Sequence, residues 1–143
     1  PSPVLAPAVS VSGSDEIVEM DRMRKMIADR MVESKRISPH VTSFVEADVT
    51  NLVKWRGREK GNFQKRNGGS LTFTPIFVEA IAKAIKAFPQ INASVNGSQI
   101  IIKKDINIGI AVALPSGNLI VPVIKNADRY NLAGLALKIN DLA

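Results

Sequence analysis

The sequence contains no cysteine, which excludes disulfides and thiolate metal sites and permits a reducing compartment without requiring one. His40 is its single histidine, so no multi-histidine metal centre can form within the chain. Aromatic residues make up 5%, with one Trp and one Tyr, leaving few platforms on which nucleobases could stack. No apolar run approaches the roughly 20 residues that a membrane helix needs, and no signal-peptide pattern opens the chain. The strong catalytic signatures are missing as well: there is no GxSxG, P-loop, dinucleotide glycine fingerprint or HExxH. Aspartates and glutamates are scattered, with no pair at an evident acid/base spacing.

What is present suits one domain with a real core: 143 residues, 45% of them hydrophobic. The first residue is Pro1 rather than Met, which reads as a piece of something longer. Charge is segregated. Residues 1–19 carry Asp15, Glu16 and Glu19 and no base, whereas Lys54, Arg56, Arg58, Lys60, Lys65 and Arg66 crowd together with Glu59 as the single acid among them. Such a cluster attracts phosphate groups, or simply forms a solvated helix face.

Taken in order, residues 1–19 read as a Pro/Ala-rich inter-domain linker that tethers something upstream, and residues 20–143 as the folded part. Asp21 is placed to cap a helix running to about Lys35, with Met23, Met26, Ile27 and Met31 forming one apolar stripe for packing. Ser38-Pro39 closes that region. His40 to Val49 alternates as a strand does, and lone His40, with no orienting acid nearby, reads as structural rather than as a base. Asp48 or Thr50 can cap a second helix from about Asn51 to Lys60, although Gly57, Gly61, Gly68 and Gly69 make the stretch after Arg56 poor helix. Asn67-Gly68-Gly69 marks a loop.

Thr74 at the cap and Pro75 in the first turn open a third helix. Phe77, Ala80, Ile81, Ala84, Ile85 and Phe88 give it a broad apolar face, which predicts the best-buried helix; Pro89 stops it. Asn96-Gly97-Ser98 between Ile91–Val95 and Gln99–Lys103 predicts a short hairpin, its Asn-Gly pair being the one that type I′ turns favour. Ile106 to Ile124 predicts a second hairpin with a buried first strand. There Gly109, Ala111 and Ala113 form a small-residue face for a packed helix or an extended ligand, and Pro122 suits an edge or bulge. Asn131 can cap a last helix through Leu132, Leu135, Ile139 and Leu142.

Three stretches together resemble the catalytic domain of dihydrolipoamide acyltransferases, the E2 core components of 2-oxoacid dehydrogenase complexes. They are MDRMRKMIADRMVESKRISPHVTSFVEADVTNLVKWR, LTFTPIFVEAIAKAIKAFPQINASV and INIGIAVALPSGNLIVPVIKNAD. The resemblance implies an α/β (α+β) sandwich, chloramphenicol-acetyltransferase-like, with a mixed sheet flanked by helices and truncated here. It implies a homotrimer and a larger cubic or dodecahedral core, whose active-site channel lies between subunits. It further implies transfer of an acyl group between dihydrolipoamide and coenzyme A, with the lipoyl group on an upstream domain. The E1 and E3 components would bind through a subunit-binding domain absent here.

In that family a histidine of HHxxxDG is the general base and a Ser/Thr of GTFTxSNxG stabilises the oxyanion. Neither motif occurs in this sequence. His40 is followed by Val-Thr-Ser-Phe and cannot take the role, so the catalytic residues are expected downstream of Ala143, and this fragment alone is expected to be inactive. The positions that carry over are two: Arg56, in LVKWR, and Thr72, in LTFTP, match residues contacting coenzyme A. The aspartate that usually ends the NIGIAV strand is replaced by Ala113, and the following turn is one residue longer.

No metal, nucleic-acid or membrane partner is expected. A bacterial cytoplasm is the expected location, with the mitochondrial matrix as alternative. A non-catalytic scaffold or assembly module is the competing reading, and a basic nucleic-acid binder ranks behind it. A sheet cut halfway also predicts poor solubility, or a chain held by neighbouring copies.

Overall fold

The computed structural model describes residues 9–115, 117 and 119–142. The start of the proposed linker, part of the second hairpin's tip and the last residue lie outside them. The chain divides into two compact units, Pro1–Glu46 and Ala47–Ala143.

Among the described residues of the first unit, the one regular element is helix α1, Arg22–Ile37. Asp21 caps it as expected: its carboxylate accepts the Arg24 amide at 2.8 Å, satisfying one of the free N–H groups of the first turn. Ser38 closes it by donating its N–H to the Ser34 carbonyl. The methionine stripe does not pack. Met23, Met26, Ile27 and Met31 are all exposed, because the described residues of this unit supply no second element against which a helix face can be buried. The strand expected over residues 40–49 is also absent. The segment has no regular structure and is exposed throughout, since alternation alone forms no strand without a partner to share its hydrogen bonds.

The second unit begins with helix α2, Thr50–Asn67, which runs seven residues past the end that the sequence predicts. The Asp48 carboxylate accepts both the Thr50 amide at 2.8 Å and its hydroxyl at 2.6 Å. Those bonds hold the Asp48 pKa below the usual carboxylate value, the hydroxyl contributing most. Gly57 and Gly61 do not stop the helix. They lie on its outer face, where an added Cβ would meet nothing, while Leu52, Trp55 and Phe63 are partly covered on the inner one. Burial there outweighs the cost of about 1 kcal/mol per glycine. Gly68 ends the helix at φ +73°, giving its N–H to the Gln64 carbonyl, the left-handed cap that glycine adopts without penalty.

Helix α3, Thr74–Ala87, starts with Pro75 in its first turn. Thr74 makes no capping bond; the Phe73 carbonyl receives the amides of Ile76 and Phe77. Its buried stripe is Pro75, Val78 and Ala82, with Ile85 alongside. Phe77, Ile81 and Phe88 are exposed, contrary to the expected face. Both stripes are apolar, and the one facing the rest of the unit is the one covered.

A single 3-10 turn, Pro89–Ile91, leads into hairpin β1, Ala93–Asn96, and β2, Gln99–Ile102. Asn96 pairs with Gln99, so the central residues are Gly97 and Ser98 rather than Asn96 and Gly97. Only Gly97, at φ +58°, is positive, which is the type II′ pattern and corrects the expected I′ turn. Asn92 closes the base by donating its side-chain amide to the Lys103 and Asp105 carbonyls, each at 3.0 Å.

The second hairpin carries four short strands: β3, Ile108–Gly109; β4, Val112–Ala113; β5, Leu119–Ile120; and β6, Val123–Ile124. β3 pairs antiparallel with β6, and β4 with β5, in one continuous register. The break between them is Pro122. Its carbonyl accepts the Ile110 amide at 3.0 Å, but it has no N–H to return. Ile106, Ile108 and Ile124 are buried, and burial fades toward the tip. The small-residue face is exposed rather than covered by a helix. The close neighbour that Gly109 admits is the hairpin's own Val121, whose Cγ1 would lie 2.8 Å from an added Cβ.

After a 3-10 turn, Ala127–Arg129, comes helix α4, Leu132–Leu142. Asn131 caps it through the Gly134 amide at 2.9 Å. Leu135 and Ile139 of α4, Val78 and Ala82 of α3, and Ile106, Ile108, Ile124 and Ala127 make one core. Among the described residues, helices α1 to α3 are followed by two small antiparallel hairpins and then α4, the truncated α+β form that the resemblance implied.

Candidate functional site

The loop after α2 is pinned before it reaches the site. Gly69 lies against α4, where an added Cβ would come 3.1 Å from Leu137. The Asn140 side-chain amide then donates to the Ser70 carbonyl at 2.9 Å. Leu71 follows, buried to 3% exposure, and its carbonyl has a defined position. Arg56 of α2 donates its Nε–H to that carbonyl at 2.8 Å. The guanidinium carbon lies 4.6 Å from the centroid of the Phe73 ring, within cation–π range.

Arg56 and Thr72, sixteen positions apart in sequence, are therefore brought together: Arg56 is anchored to the residue on either side of Thr72. Both are half-buried. Arg56 is paired with no carboxylate among the described residues. Its two Nη groups lie on the guanidinium edge away from the Nε contact and form the fork that recognises phosphate or carboxylate.

The rest of the basic cluster is placed differently. Lys54, Arg58, Lys60, Lys65 and Arg66 are exposed, with no ion pair among the described residues. Arg66 edges an open cavity of about 290 Å³ together with Trp55, Phe63, Leu71 and Leu132. Leu71 borders that cavity and also supplies the Arg56 acceptor. His40 is exposed, and among the described residues no carboxylate accepts a hydrogen bond from it. Ala113 is exposed on β4 beside the hairpin tip, on an element other than those that carry Arg56 and Thr72. The described residues contain no group of three potential metal ligands, and none of their helices is long and apolar enough to cross a membrane.

The resemblance names Arg56 and Thr72, and the sequence carries no sign of what holds Arg56. A carbonyl acceptor fifteen residues away leaves no trace in composition. Phe73 reads only as one more apolar residue before a helix. Asn140 looks like a polar position on the outside of α4.

A family model for the 2-oxoacid dehydrogenases acyltransferase catalytic domain matches residues 12–143. The lipoamide acyltransferase component of the branched-chain alpha-keto acid dehydrogenase complex of Bacillus subtilis is 46% identical over 132 residues, covering 92% of this chain and 31% of its own length. A probable dihydrolipoamide acetyltransferase from Listeria monocytogenes superposes with a TM-score of 0.84 at 42% identity, over 92% of this chain and 56% of that one. The cubic core of a pyruvate dehydrogenase multienzyme complex superposes at 0.87 and 36% identity, over 97% and 59%. The chain thus spans less than a third of that Bacillus relative and under three-fifths of either solved chain. Its sequence and its fold agree: the chain belongs to the 2-oxoacid dehydrogenase acyltransferase family, as a stretch of the catalytic domain.

Proposed function

We propose that the protein containing this chain moves an acyl group between dihydrolipoamide and coenzyme A, and that this stretch supplies part of the coenzyme A site. The observation that carries the reading is the joining of Arg56 to the Leu71–Phe73 segment, which sets a cation and a hydroxyl-bearing residue side by side. Arg56 takes a phosphate of the cofactor, and Thr72 contributes a neighbouring polar contact. Acyl transfer also needs a base for the attacking thiol and donors for the tetrahedral oxyanion. No residue of this chain is assigned either role. They fall to histidine and Ser/Thr motifs that this sequence does not contain, so residues 1–143 alone are inactive. The lipoyl group belongs to an upstream domain tethered through a linker at residues 1–19, and E1 and E3 dock upstream. The parent assembles as trimers within a larger core, and its location is the bacterial cytoplasm.

The test is transfer from acetyl-, succinyl- and branched acyl-coenzyme A to dihydrolipoamide. Activity is expected from the parent polypeptide, with one donor preferred, and none from residues 1–143. A parent that is inactive with all three donors overturns the proposal.

A second reading, assembly without catalysis, draws on the exposed apolar residues of α1, α3 and the outer hairpin face: Met26, Phe77, Ile81, Leu119, Val121 and Val123. It predicts self-association by a parent that does not bind coenzyme A.

A further inference from the structure

Arg56 is restrained at two points by the protein itself. Its Nε–H is committed to the Leu71 carbonyl at 2.8 Å, which fixes one edge of the guanidinium. The Phe73 ring, 4.6 Å from the guanidinium carbon, restrains the group in a second direction. A flexible arginine with a single anchor would keep most of its rotamer freedom and lose it on binding. With two anchors, much of that ordering is complete before a ligand arrives.

Phe73 is not needed where it stands as core filler. It is half-exposed and lies outside the buried cluster formed by α3, α4 and the second hairpin. Its backbone carbonyl, which any residue could provide, is what starts α3. Its aromatic ring meets the cation.

We infer that Phe73 is a positioning residue for phosphate recognition: with the Leu71 carbonyl it holds Arg56 so that the Nη edge is presented ready-made. This rests on the proposed coenzyme A site, and it adds a specificity element to that site. The clamp favours acceptors that carry a phosphate over the same thiol arm without one. Pantetheine, which has the reactive arm of coenzyme A and no phosphate, should be indifferent to it.

The test uses the intact parent protein with Phe73→Leu, Phe73→Tyr and Arg56→Leu, and coenzyme A or pantetheine as acyl acceptor. Phe73→Leu is expected to raise KM for coenzyme A about fivefold, or about 1 kcal/mol, with kcat unchanged. KM for pantetheine should not move. Phe73→Tyr keeps the ring and should stay within about twofold of wild type. Exchange of the Arg56 Nε–H with solvent, followed by NMR, should quicken in Phe73→Leu and not in Phe73→Tyr. Equal KM values for wild type and Phe73→Leu, while Arg56→Leu is impaired, overturn the positioning role and leave the site standing. Equal losses with both acceptors also overturn it, since they mark a merely structural effect. If Arg56→Leu leaves coenzyme A untouched, the site reading fails and the inference fails with it.

Discussion

Leu135 is the position where the packing account is most exposed to test. It is fully buried, at 0% exposure, within a cluster formed by Val78 and Ala82 of α3, Ile106, Ile108 and Ile124 of the second hairpin, and Ile139 of its own helix. Leu135→Ala removes transfer energy of about 1.5–3 kcal/mol and leaves a cavity on top of it. Leucine truncations of this kind cost about 2.7–5.0 kcal/mol. That range applies here, because the side chains around Leu135 come from α3, the second hairpin and α4 itself. Leu137→Ala is the control: two residues along the same helix, Leu137 is 43% exposed, and its truncation should cost less than about 1 kcal/mol. Urea unfolding followed by far-UV circular dichroism reads both. At about 1–3 kcal/mol per molar urea, Leu135→Ala should lower the midpoint by more than about 1 M. A loss below 1 kcal/mol at Leu135, or an equal loss at Leu137, would refute the assignment of this cluster as the core. The consequence reaches the site, because α4 also holds the Ser70 carbonyl through Asn140.

Three further expectations follow from single residues. Gly68→Ala forces a side chain into φ +73° and should cost about 1–2 kcal/mol, whereas Gly57→Ala, with open space at its Cβ, should stabilise by up to about 1 kcal/mol; thermal melts of both separate a required glycine from a dispensable one. The Asp48 carboxylate is held below its usual pKa by the Thr50 hydroxyl and amide. A lowered carboxylate stabilises fully above the unfolded value, near 4, and that contribution is lost as pH falls through the folded pKa. Amide protection factors at the start of α2, corrected for the intrinsic pH dependence of exchange, should therefore fall below about pH 4, and Thr50→Val should raise the Asp48 titration midpoint seen by NMR. Replacing Phe77 and Ile81 on the exposed stripe of α3 by Glu and Lys should reduce self-association in sedimentation velocity. It should change unfolding stability by no more than about 0.5 kcal/mol.

Signals that act over one turn of chain were legible. Asp21, Asn131 and Pro75 each solve a hydrogen-bonding or φ problem set by their immediate neighbours, and each does so where the sequence places it. Signals that depend on distant partners were not. Residues 40–49 alternate like a strand and find no ladder. α3 carries two apolar stripes, and only packing decides between Val78–Ala82 and Phe77–Ile81. α2 runs through two glycines because Leu52, Trp55 and Phe63 pack along its length. At the hairpin tip a one-residue shift in register turned the expected I′ loop into a II′ loop with Gly97 first. The site divides the same way. Arg56 and Thr72 were named from the resemblance, while Leu71, Phe73 and Asn140 became visible only once the loop was folded against α4.

The most direct test of the proposed site is the affinity of the intact protein for coenzyme A, measured by calorimetry for wild type, Arg56→Leu and Lys65→Leu. Both variants remove one positive charge from α2, but only Arg56 is anchored to the Leu71–Phe73 segment. The account predicts a loss of at least tenfold for Arg56→Leu, consistent with about 1.5–3 kcal/mol for a charged hydrogen bond, and a change of less than about threefold for Lys65→Leu. Equal affinities for the two variants would contradict it.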